Sequence, residues 1–148
     1  MRFLIALPLL AILGSAQEIP SVSISIATPV DQSPVLILST SSTTKHFFDQ
    51  TTFRNTSEKS ISFLTFSVTL TDVLGAKLLS PIRLKTGAVR VAPEKSSSVE
   101  AMGFPVATLI EQLKTVKVQH ANASLSVLEV EFDDDSIWKA PQASKPGN

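Results

Sequence analysis

Three consecutive aspartates, Asp133, Asp134 and Asp135, stand between a strand-like run and the chain's single tryptophan in FDDDSIW (Phe132 to Trp138). Carboxylates grouped in this way suit two chemistries. Calcium takes about six to eight oxygen ligands, and clustered carboxylates in a loop can supply some of them. Two carboxyl groups about 5 to 10 Å apart in a cleft hydrolyse glycosides. Neither fits well here. Successive side chains at a tight turn diverge, and the alternating D-x-D-x-D-G of the helix-flanked calcium loop is missing. Adjacent aspartates facing water also have nothing to raise the pKa of one above the other. The favoured reading is a solvated turn, with no cofactor. Asp133, Asp134 and Asp135 stand as the calcium candidates, and Glu129 and Glu131 add charge only from the solvent face.

Other residue types offer less. His46, beside Phe47 and Phe48, and His120, at a strand end, lack a second histidine or a cysteine at ligand spacing. There is no G-x-S-x-G, no cysteine, and no phosphate-cradling loop among five glycines. No catalytic residue is assigned, and the chain is read as a non-enzyme. Sugar platforms lean on exposed Trp and Tyr, and this chain has one Trp and no Tyr. Asn55-Thr56-Ser57 and Asn122-Ala123-Ser124 match the glycosylation sequon, as a Ser/Thr-rich chain does by chance.

The elements that must position these residues are strands. In VLEVEF-DDD-SIWK, Leu128, Val130 and Phe132 point one way and Glu129 and Glu131 the other. A three-residue hairpin loop then sets Phe132 opposite Ser136 and Val130 opposite Trp138, with Trp138 on the core face. The third loop residue adopts a left-handed conformation, where glycine is usual and this chain has Asp135.

Period-two patterning dominates the rest. SVSISIA (Ser21 to Ala27) reads as a strand with Val22, Ile24 and Ile26 on one buried face. SPVLIL (Ser33 to Leu38) reads as a central strand buried on both faces. SISFLTFSVTLTD (Ser60 to Asp72) sets Leu64, Phe66, Val68 and Leu70 against Thr65, Ser67, Thr69 and Thr71. Ile61 and Phe63 are off-phase with those four. Coverage by a helix is preferred for them over an exposed apolar patch. Shorter strands follow around Ile82 to Lys85, Val89 to Ala92 and Ser97 to Ala101, punctuated by Gly75, Pro81, Gly87 and Pro93. Val106, Leu109, Ile110 and Leu113 fall at i, i+3, i+4 and i+7 behind Pro105, which predicts one short helix near 106–113. VKVQ (Val116 to Gln119) and SLSVLEVEF (Ser124 to Phe132) return to strand.

The first residues read as a leader. Arg2 precedes an apolar run from Phe3 to Leu13, shorter than the roughly 20 residues that span a bilayer, and Gly14, Ser15 and Ala16 follow. A secretory signal peptide over 1–16, cut after Ala16, is expected, with an uncleaved anchor as its rival. No cysteine follows the run, so a lipoprotein anchor is excluded. The expected organisation is signal peptide 1–16, a β-sandwich domain 17–140 and a flexible C-terminal tail 141–148. An exported domain without disulfides must stand on packing alone, which mildly favours a bacterial periplasmic or extracellular setting. Thirteen basic and thirteen acidic residues leave no electrostatic footprint for nucleic acid, and no stable membrane insertion is expected after cleavage.

FRNTSEKSISFLTFSVTLTDVLG (Phe53 to Gly75) resembles a segment found in small immunoglobulin-like, FxLYD-type domains of bacterial envelope proteins. VEFDDDSIWK (Val130 to Lys139) is similar to an ending seen in uncharacterised secreted bacterial proteins. Together the two segments span about a quarter of the chain beyond the leader. The resemblance implies a sandwich that mediates contacts, and it brings no catalytic residues.

The expected fold is all-β, an immunoglobulin-like antiparallel β-sandwich of about seven to nine strands with one short helix; a small barrel is the alternative. The expected function is that of a secreted or periplasmic, non-catalytic module that contacts an unidentified protein. Its candidate edges are the strand around Val22 to Ile26 and the hairpin ending at Trp138. The alternative is a calcium-assisted ligand- or carbohydrate-binding module at the 133–135 loop end.

Overall fold

The computed structural model describes residues 18–100 and 103–142. The expected leader 1–16 and all but the first two residues of the expected tail lie outside them. The elements, in chain order, are β1 (Ser21–Ile26), β2 (Val35–Ser41), β3 (His46–Phe47), β4 (Gln50–Asn55), β5 (Ile61–Thr71), β6 (Ile82–Lys85), β7 (Ser96–Glu100), β8 (Phe104–Pro105), α1 (Val106–Thr115), β9 (His120–Phe132) and β10 (Ile137–Lys139).

They form an all-β sandwich with one short helix. One sheet runs β1-β9-β5-β6, with β10 also paired to β9; a second runs β2-β4-β7; β3 and β8 make a separate short pair. The inner faces meet in one core, where Phe53 of β4 and Phe66 of β5 pack edge to face with centroids 6.4 Å apart. Leu109 and Leu113 bring one side of α1 into the same core. Two details depart from expectation. Among the described residues the strands number ten because two of them are only two residues long, and β1 lies parallel to β9 while the other strand pairs are antiparallel.

β5 follows its sequence pattern: Leu64, Phe66, Val68 and Leu70 are all buried. Its N-terminal end does not. The β5–β9 register shifts between Ile61 and Phe63, so Ile61 pairs with Phe132 and turns into the core while Phe63 pairs with Glu131 and faces outward. Phe63 is covered by the Lys85 ammonium, 5.4 Å from its ring centroid, and not by the helix.

Other readings are corrected by position in the sheet. β2 is an edge strand, so Leu36 and Leu38 are 38% and 48% exposed where burial on both faces was expected. β1 is also an edge, and Ile24 and Ile26 stay 37% and 36% exposed although they share the core face with the buried Ala123 and Leu125. Val116 to Gln119 is no strand. The Val118 N–H reaches the Leu113 carbonyl and the Lys117 N–H the Lys114 carbonyl, with Lys117 at φ 57°. That double bond is the Schellman ending of α1, and it outweighs the local alternation. Val89 to Ala92 is reduced to a bridge between Val91 and Ile61, interrupted by Arg90 at φ 47°. β4, QTTFRN, has one strongly apolar residue, Phe53, and gave no strand signal of its own.

Candidate interaction site

The β9–β10 turn has the expected register. Trp138 pairs with Val130, the Phe132 N–H donates to the Ser136 carbonyl, and Asp135 sits at φ 63°. Trp138 is half-buried against the core. The three aspartates part company there. Asp133 accepts from the Ser62 hydroxyl, and its own N–H donates to the Ser60 carbonyl. Asp134 meets the Lys59 ammonium at 2.7 Å and accepts from the Ser136 hydroxyl and N–H. The Lys59 contact and then the two Ser136 bonds hold the Asp134 carboxyl at a pKa of about 2, below its ordinary 3.8. Asp135 has no ion pair or side-chain hydrogen bond among the described residues. No three acidic or histidine side chains converge on a metal-sized space among the described residues. Glu131 pairs with Lys85 at 2.6 Å and Glu129 with Lys139 at 3.2 Å.

Beside the turn, Ser60, Ser62, Phe63, Arg90 and Asp133 border an open depression of about 540 Å³. Its border includes a guanidinium, a carboxylate and an aromatic ring. It is shallow, and Arg90 and Asp133 are exposed, so water keeps their interactions with any ligand weak.

The histidines go separate ways. His120 Nδ1 lies 2.6 Å from the Ser21 hydroxyl, a nucleophile–base distance. Both residues are exposed, and among the described residues no carboxylate orients the ring. His46 Nδ1 is 3.6 Å from Asp49. The two sequons also differ. Asn55 is fully buried, donates to the Lys59 and Val91 carbonyls at 2.8 and 3.0 Å and accepts from the Ser57 N–H and hydroxyl. Its amide is sealed against modification in the folded chain. Asn122 is exposed.

Comparison of the chain with protein-family models, with curated proteins and with solved structures returns no match.

The edges remain. β1 and β10, the two candidate edges, lie end to end on the same side of β9: β1 pairs with His120 to Leu125 and β10 with Glu129 to Glu131. The Ser21 N–H donates to the Gln119 carbonyl and the Ala27 N–H to the Leu125 carbonyl. With this parity the odd-numbered residues of β1 face β9, and Val22, Ile24 and Ile26 turn their N–H and C=O groups to the open side. Among the described residues no strand pairs with that side.

Natural edges are blunted by charge, proline or a bulge. β6, at the far edge of the same sheet, carries the exposed Arg83 and Lys85. β7, at one edge of the second sheet, ends in Glu100. β2, at its other edge, has a register break at Leu38. β1 has none of these devices: SVSISI is neutral, unbroken and free of proline. Arg83, Lys85 and the bulge supply the contrast, and their meaning is invisible until the strand order is known.

Proposed function

We propose that the chain is an exported, non-catalytic interaction module that binds protein by accepting a strand along β1. The observation that carries this reading is the difference between the edges of one sheet: β6 is guarded by two cations, and β1 is neutral with two isoleucines partly exposed. An added strand gains main-chain hydrogen bonds from Val22, Ile24 and Ile26 and covers the apolar flank of Ile24 and Ile26. Export is supported by the leader-like residues 1–16.

The test is a cross-linking pull-down with residues 17–148, run beside Ile24→Lys. A charge at this exposed position leaves the melt intact and removes the captured partner. Equal capture by both chains would place the contact elsewhere. A second reading, a small-ligand site, is favoured only by the depression beside Asp133. Ligand-dependent protection of Arg90 from a guanidine-modifying reagent would promote it.

A further inference from the structure

Resting on the strand-accepting reading of β1, we infer that the strand it accepts is β1 of a second copy, paired antiparallel about a two-fold axis through Ile24.

The argument is one of register. In a two-fold antiparallel pair the residues that turn their hydrogen-bonding groups to the shared side must face one another. On β1 these are Val22, Ile24 and Ile26, because the parallel pairing to β9 occupies Ser21, Ser23 and Ser25. An axis through Ile24 satisfies the condition along the whole strand. It places Ile24 against Ile24, Val22 against Ile26 on either side, and Ser23 against Ser25. An axis through Ser23 or Ser25 meets the same condition but pairs only two of the three residues with one another, an axis through Val22 or Ile26 overlaps less still, and an axis between two neighbouring residues fails it.

The side chains agree with this register. Val22, Ile24 and Ile26 share the core face with Ala121, Ala123 and Leu125. Across the axis apolar residues therefore meet apolar residues on that face and hydroxyls meet hydroxyls on the other. No charge lies within β1 to oppose its own image. The same operation on β6 would bring Arg83 and Lys85 of one copy beside those of the other, where like charges repel. β1 is therefore self-complementary and β6 is not. A contact made mainly by one strand buries less surface than a permanent dimer, so the association is reversible and rises with concentration.

Because the chain has no cysteine, introduced thiols report the register directly. Facing Cα atoms of a hydrogen-bonded antiparallel pair lie about 5.5 Å apart, within disulfide reach. Ile24→Cys then links to itself under mild oxidation much faster than Arg83→Cys on the guarded edge. A mixture of Ser23→Cys and Ser25→Cys chains forms the mixed disulfide in preference to either self-link. Wild-type chains sediment as a monomer–dimer equilibrium, and Ile24→Lys is monomeric with an unchanged melting midpoint. A wild-type monomer at the highest attainable concentration, with Ile24→Cys linking no faster than Arg83→Cys, overturns the second copy as occupant. If Ile24→Lys still loses its captured partner in that case, the edge accepts a different chain. If it keeps the partner, the edge reading falls as well.

Discussion

Trp138 stands directly across from Val130 in the β9–β10 hairpin, and the turn that sets this register holds Asp135 at φ 63°. A left-handed backbone is strained for an L-residue with a Cβ, less for aspartate than for most, and unstrained for glycine. Asp135→Gly therefore stabilises the protein, by about 0.5–1 kcal/mol. A thermal melt reads this as a rise in midpoint; a fall would mean that the Asp135 carboxylate has a partner stronger than the strain it relieves.

Asn55 joins three segments through one buried amide: its own strand, the turn at Ser57 to Lys59, and the Val91 bridge. Asn55→Ala removes one of two donors from the Val91 carbonyl, which keeps the Ile61 N–H, and one from the Lys59 carbonyl, which keeps the Ser57 hydroxyl, and it leaves the Ser57 N–H without its acceptor. The expected loss is roughly 1–3 kcal/mol in urea unfolding. Thr56→Ala, at an exposed neighbour whose hydroxyl bonds only the Ser33 carbonyl, costs much less.

Asp134 gives the fold an acid-sensitive contact. Its pKa is depressed in the folded chain, from 3.8 to about 2, chiefly by Lys59. The stabilisation is therefore present above pH 3.8 and is lost as pH falls toward 2. The melting midpoint of wild type falls more steeply over that range than that of Asp134→Asn, and Lys59→Gln flattens the curve in the same way. Salt weakens the difference because the pair is exposed. Steep loss in Asp134→Asn as well would move the acid sensitivity to another carboxylate.

Gly103 lies under the β3 strand, where an added Cβ would sit 2.5 Å from the Phe47 carbonyl oxygen and 2.7 Å from the His46 Cβ. Backbone cannot yield as a flexible side chain does. Gly103→Ala should separate β3 from β8 and destabilise the protein by about 1–3 kcal/mol. Hydrogen exchange at Val106, whose N–H donates to the Lys45 carbonyl beside this contact, speeds up if the pair opens.

The hairpin at Asp133 to Asp135, the buried face of β5 and the span of α1 could be read from the chain because local rules govern them. Strand period, loop length and helical spacing each act within a dozen residues. The divergence of the three aspartates also followed from turn geometry, but their partners Ser62 and Lys59 come from the other side of the β5–β9 pairing, beyond any local pattern.

Strand order was decided by tertiary structure. SVSISIA and SPVLIL look like buried strands because burial is the commonest fate of such runs, yet the strands they form, β1 and β2, both lie at edges. The bulge that returns Ile61 to the core and leaves Phe63 under Lys85 depends on which residues of β9 it meets. The sequence by itself determined that these segments are strands and which residues of each share a face. The assembled sheets alone decided which strand ends the sheet, because an edge is defined by the neighbour that a strand lacks. With no strand beyond β1 among the described residues, its neutrality turns from a feature of composition into the observation on which the proposed partner contact rests.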